Sequence, residues 1–141
     1  MLPLHYLLMK THSRLNRWIL AECAAIGLLP GQPKILECLL REGPCNQKQI
    51  AIRCEIEPAT AGSILLRMER DGLICRMPPQ DDRRARMVAL TPHGREMAAQ
   101  AEEIFRRANH LAAAGLDATE QARLQQALQA VYAALTEEAA E

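Results

Sequence analysis

The chain has 141 residues, 49% of them hydrophobic but only four aromatic (Tyr6, Trp18, Phe105 and Tyr132), a length that supports one cored domain and a composition that favours helices over sheets. No stretch approaches the roughly eighteen apolar residues of a membrane span, and the short apolar run at the N-terminus precedes its charges, the wrong order for a signal peptide, so a cytoplasmic protein without a membrane partner is expected. The formal net charge of zero hides an uneven distribution: residues 92–141 hold 8 acidic and 4 basic groups while residues 1–91 hold 13 basic and 9 acidic, which leaves a basic body that a polyanion would meet.

Apolar residues at Leu4, Leu8, Leu15, Ile19 and Ile26, with Trp18 and Cys23 beside them, recur at helical spacing and predict an amphipathic helix over 4–27 that Gly27 ends. Pro30-Gly31-Gln32-Pro33 opens a second helix, whose prolines are tolerable only in its first turn. Ile35, Leu36, Leu39 and Leu40 form its buried stripe, and Gly43-Pro44 stops it. Asn46 caps a short helix over 47–54 that buries Ile50 and Ala51. Glu57-Pro58 starts the next, over 58–71, which buries Ala61, Ile64, Leu65 and Met68 and closes at Gly72. Three helices with a short break before the third make a helix-turn-helix pattern. Residues 73–77 and 85–90 then alternate partially around a polar, proline-led linker, the pattern of a hairpin with a charged tip, and a hairpin in that position is a wing. Thr91-Pro92 begins a long helix through Met97, Ala101, Ile104, Phe105, Ala108 and Leu111 to about Gly115. Asp117 with Glu120 forms a capping box for a last helix, and its seam of Leu124, Leu128, Val131 and Leu135 has the spacing of a coiled coil that needs a partner helix.

Five cysteines, Cys23, Cys38, Cys45, Cys54 and Cys75, are scattered with no CxxC pair, which argues against a disulfide framework in a cytosolic chain. None of His5, His12, His93 and His110 stands at ligand spacing from a cysteine, so no metal and no cofactor is expected. A paired acid and base, an activated nucleophile and a phosphate loop are all missing, so the chain is not expected to be an enzyme and has no catalytic residues.

The run Pro58-Ala59-Thr60, the close Leu66-Arg67-Met68-Glu69-Arg70-Asp71-Gly72-Leu73-Ile74, the hairpin's Asp82-Arg83-Arg84, and then Leu90-Thr91 and Gly94 keep a fixed spacing. With Gly27-Leu28-Leu29-Pro30-Gly31-Gln32 leading into the second helix, this pattern resembles the MarR family of bacterial regulators (multiple antibiotic resistance regulators) along essentially the whole chain. The resemblance implies a mainly α fold: a winged helix-turn-helix with a two-stranded β wing, flanked by long N- and C-terminal helices that entwine two protomers. It implies a single chain, 1–141, with the winged helix-turn-helix at 30–91 and dimerisation helices at 1–28 and 92–141. It also implies a homodimeric, sequence-specific transcriptional regulator that binds a palindromic operator in double-stranded DNA, by the family's usual mode a repressor released by a small-molecule effector. This chain departs from the family at Gly62 and Leu66, where Thr and Asp are frequent. Gly62 weakens the helix but would let its backbone approach DNA, and Leu66 could touch a thymine methyl. Glu55 and Glu57, at the mouth of the helix, would be repelled by phosphates.

A reading helix works through its N-terminal half, and the face left over from the core offers Ala59, Thr60, Gly62, Ser63 and Arg67 for the major groove. On the hairpin, Arg83, Arg84 and Arg86 suit the negative potential of the minor groove. The resemblance assigns Asp82 to orient a wing arginine, and it implies a pocket for small aromatic or phenolic molecules between the dimer helices and the winged domain, lined here by His12, Trp18, Leu36 and Phe105; a small apolar or aromatic acid is the expected effector. An alternative on the same fold is a thiol-based redox-sensing regulator using Cys23. Within four residues of Cys23 there is no Arg or Lys, only Glu22, to influence its thiolate.

Overall fold

The computed structural model describes residues 1–77 and 86–140, whose elements run α1 (Leu4–Ala25), α2 (Gln32–Glu42), β1 (Cys45–Asn46), α3 (Gln47–Arg53), α4 (Pro58–Arg70), β2 (Ile74–Met77), β3 (Met87–Leu90), α5 (Pro92–Ala112) and α6 (Ala118–Ala140). The chain divides into two units, Met1–Arg106 and Arg107–Glu141. Each expected helix and the hairpin strands are present, with ends within about three residues of the expected ones.

The caps explain those ends. The α1 helix closes on a Schellman turn: Gly27, at φ +88°, donates its N–H to the Ala24 carbonyl at 3.0 Å, and Leu28 donates to Cys23 at 3.0 Å. The α4 helix closes the same way, Leu73 donating to the Met68 carbonyl at 2.9 Å beyond Gly72. In α3 the same turn is made without glycine, for Ile56 donates to Ala51 at 2.9 Å while Glu55 stands at φ +54°. A left-handed conformation at a residue with a Cβ costs about 1–2 kcal/mol. At the start of α3, Asn46 and Gln49 form a reciprocal capping box at 2.8 and 2.9 Å. Asp117 and Glu120 do so for α6 at 2.8 and 3.1 Å.

The sheet has three antiparallel strands in the order β1-β3-β2, one more than expected. Cys45 and Asn46 pair with Val88 and Met87, and Ile74 and Met77 pair with Leu90 and Met87. A two-residue strand is too short to show alternation, which is why β1 escapes a reading of the sequence. The core of the first unit gathers Ile35, Leu36 and Leu39 of α2, Ile50 of α3, Leu65 and Met68 of α4, Ile74 and Val88 of the sheet, and Ala98, Ala101 and Ile104 of α5. Each large aliphatic side chain buried there contributes about 1.5–3 kcal/mol. Leu40, expected in the stripe of α2, is 37% exposed instead. The buried face of that helix is completed by Cys38, Pro33 and Gln32, the last of which accepts the Leu29 N–H at 3.0 Å.

The junction between wing and α5 is tightly fixed. Thr91 donates its hydroxyl to the Gly72 carbonyl at 2.5 Å, accepts the Gly94 N–H at 2.9 Å as the cap of α5, and donates its own N–H to the Leu73 carbonyl at 3.1 Å. Among the described residues no helix is long and apolar enough to cross a membrane.

Candidate nucleic-acid interface and neighbouring cavity

One face of α4 is committed to the core through Ala61, Leu65 and Met68, and the other leaves Ala59, Thr60, Ser63, Leu66 and Arg67 exposed. The Ser63 hydroxyl donates to the Ala59 carbonyl at 3.3 Å, a long bond on an exposed helix that a better acceptor can replace. The Arg67 Nε donates to both carboxylate oxygens of Asp71, at 3.1 and 3.3 Å. With side chains 59% and 40% exposed the pair is screened, so the guanidinium is held loosely at the surface. Gly62 lies on the same helix beside α3. It is half-buried, and a Cβ there would lie 3.0 Å from the Gln47 side-chain nitrogen, so the glycine lets α3 and α4 pack closely.

That contact leads to a group of residues that the sequence pattern does not single out. Arg76 on β2 donates to the Gln47 Oε1 at 3.5 Å and holds its Nε 3.7 Å from the Glu69 carboxylate, tying α3, α4 and the base of the wing together. The partners Gln47 and Arg76 are 29 positions apart along the chain, so no local spacing reveals them. Arg86 is exposed just before β3. Asp82, Arg83 and Arg84 lie outside the described residues.

Behind the head of α4 lies a cavity of about 610 Å³, walled by α1, α2, the α3–α4 turn and Phe105 of α5. Of the four residues expected there, His12 and Phe105 line it. Leu36 is fully buried in the core, and Trp18 is half-buried against it. Lys34, Glu37, Glu55 and Glu57 also line the cavity. Neither helical period nor motif flags Lys34 and Glu37, because both read as ordinary polar positions on an amphipathic helix.

Cys23 is fully buried, and burial followed by the charge of Glu22 pushes its thiol up from the ordinary value. Cys38, Cys45 and Cys54 are buried together. Burial, with Cys54 and Cys45 as neighbours, pushes Cys38 up to about 12, and burial also raises Cys54. The Cys45 sulfur accepts from the Arg53 guanidinium at 2.9 Å, and Cys75 alone of the five is exposed. Among the described residues no group of three or more His, Cys, Asp or Glu is placed to hold a metal ion.

A helix-turn-helix with an exposed second helix, followed by an antiparallel sheet, defines a winged-helix protein of the kind that enters DNA grooves. Residues 28–85 match the model of the MarR family. Solved structures share the architecture over nearly the full chain. A protein described as a probable transcriptional regulator from Pseudomonas aeruginosa is 29% identical, with 92% of this chain and 96% of that one covered and a TM-score of 0.79. A MarR family protein from Mycobacterium tuberculosis in complex with DNA is 24% identical (93% and 98% covered, TM-score 0.74), and that protein is also solved with salicylic acid. A mutant MarR from E. coli complexed with operator DNA is 20% identical (92% and 94% covered, TM-score 0.82). A search of curated proteins finds no match.

Proposed function

We propose that this chain is a homodimeric, sequence-specific DNA-binding regulator of transcription. In this reading it is a repressor that leaves a palindromic operator when a small-molecule effector binds. The observation that carries the reading is α4, whose inner face is locked into the core while Thr60, Ser63 and Arg67 stand exposed along its outer face. Such a helix fits the major groove, and two of them about 34 Å apart in a dimer meet successive turns of one duplex, which makes a palindrome the matching site. Residues 1–28 and 92–141 supply the dimerising helices. The DNA complexes of the structural neighbours support the groove assignment, and the salicylic acid complex supports an effector. The redox alternative loses ground on Cys23, whose buried, raised thiol is poorly placed to react.

The test begins by selecting genomic fragments on the purified protein to obtain the operator. Arg84→Ala and Ser63→Ala are then titrated against operator and scrambled duplex over a range of salt. Arg84→Ala should weaken binding to both duplexes and reduce the salt slope by about one unit for each phosphate no longer neutralised. Ser63→Ala should narrow the gap between the two duplexes by about 1–3 kcal/mol for each base pair read. Wild-type behaviour of both variants on both duplexes would overturn the assignment.

A further inference from the structure

The buried cysteines take no part in the regulatory reading, yet two of them share the wall of a second cavity. We propose that Cys38 and Cys54 form a two-thiolate site for one soft monovalent metal ion of the copper(I) or silver(I) class. The inference goes beyond the DNA-binding reading and does not rest on it.

Three elements bring the sulfurs together. Cys38 sits on α2, Cys45 opens β1 and Cys54 caps the end of α3. The Cys38 side chain makes hydrogen-bond contact with both Cys54 and Cys45. The three are not equivalent. Cys45 has no exposed surface, and its sulfur is already engaged, donating to the Gly43 carbonyl at 3.3 Å and accepting from the Arg53 guanidinium at 2.9 Å. Cys38 and Cys54 keep 8% and 7% exposure. Both line a cavity of about 310 Å³ that Lys34, Glu37 and Arg53 also border. A pair of sulfurs in contact and a polar path to them are therefore both present.

The donor set selects the ion. Thiolates prefer soft metals such as copper(I). Among the described residues no group of three or more His, Cys, Asp or Glu is placed to hold a metal ion, so the four ligands of a structural zinc are not assembled here. A copper(I) or silver(I) ion is satisfied by two thiolates in line. With a metal–sulfur bond of about 2.3 Å such a unit spans about 4.6 Å, so sulfurs already in hydrogen-bond contact need open only slightly. Binding takes two thiols and one ion to an anionic S–metal–S unit and two protons released to solvent. Two S–H bonds break, two S–metal bonds form, and no electrons change hands. Burial raises both thiols, so an alkylating reagent meets little thiolate, whereas a soft ion drives the protons off by forming two strong bonds. At Cys54 the charge of Lys34 acts against the rise that burial causes, so the anionic unit forms beside a cation.

The experiment offers copper(I), as its coloured bicinchoninate complex under anaerobic conditions, to the reduced full-length protein and to single alanine variants. The wild type should take up about one equivalent per chain and bleach the complex to that extent. Cys38→Ala and Cys54→Ala should each take up none, while Cys75→Ala, at an exposed position, should match the wild type. X-ray absorption at the copper edge should show two sulfur neighbours in the loaded wild type and in Cys75→Ala. That measurement needs no substitution at a buried position, so it decides the matter even where a buried variant fails to fold. Absence of uptake by the wild type overturns the proposal, as does uptake that survives in both Cys38→Ala and Cys54→Ala or disappears in Cys75→Ala. An edge spectrum with nitrogen ligands or with three sulfurs overturns it as well.

Discussion

A Cβ at Gly94 would lie 1.9 Å from the Leu73 carbonyl oxygen, which is held in place because it accepts the Thr91 N–H at 3.1 Å. Main chain cannot swing aside as the end of a side chain can, so Gly94→Ala must separate α5 from the wing. Its unfolding free energy should fall by about 2–4 kcal/mol, read from the urea midpoint. Gly115→Ala, where nothing lies within 4 Å of the added carbon, is the control and should be near neutral. Equal midpoints for the two variants would contradict the clasp. The same local reasoning applies to the thiols. Cys75 is exposed, whereas Cys23, Cys38 and Cys54 are buried with raised thiols, so a maleimide should label one site quickly and the others only on unfolding. Cys23→Ser should retain operator affinity with and without peroxide. A peroxide response present in the wild type and absent from this variant would reinstate the redox alternative.

At the scale of elements, α4 shows what a sequence can and cannot disclose. Its register is legible because Ala61, Leu65 and Met68 repeat with the helical period and Pro58 and Gly72 bracket the ends. The exposed row follows by subtraction. Whether a residue of that row is engaged cannot be read, because engagement depends on contacts that periodicity does not encode. Arg67 is held by Asp71, Gly62 serves the contact with Gln47, and Arg76 reaches across from the wing to Gln47 and Glu69. The cavity repeats the lesson, for His12 and Phe105 are expected on its wall whereas Lys34 and Glu37 emerge only once the helices are packed. The Arg67–Asp71 pair gives a test. An exposed i,i+4 pair contributes little stability, and an acid at the C-terminal end of a helix opposes its dipole. Asp71→Ala should therefore change stability by less than about 0.5 kcal/mol while freeing Arg67 for DNA. Operator affinity should rise or hold, and its loss would mean that the pair aims the arginine.

For the whole molecule the open question is what covers the exposed apolar seams in each unit. On α1, Leu4, Leu7 and Met9 are exposed, and on α6, Leu124, Leu128, Tyr132 and Leu135 are exposed along one seam. Exposed apolar side chains in such number mark an association site, and the spacing on α6 is that of helices that pair. If that cover is a second copy, burial on assembly contributes to the stability of each protomer, and the melting temperature must rise with protein concentration. Leu128→Glu with Val131→Glu places two charges on the α6 seam. Sedimentation at micromolar concentration should show a dimer for the wild type and monomer for the variant, with a lower melting temperature that no longer depends strongly on concentration. The DNA readout must move too. A palindrome holds two half-sites at fixed spacing, so a dimer binds the second half-site as an intramolecular step, and a monomer loses that gain. Operator affinity should therefore collapse toward that of a single half-site while binding to scrambled duplex falls much less. A wild-type protein that sediments as a folded monomer yet still prefers the full palindrome would break the link between the exposed seams and the spacing of the two reading helices.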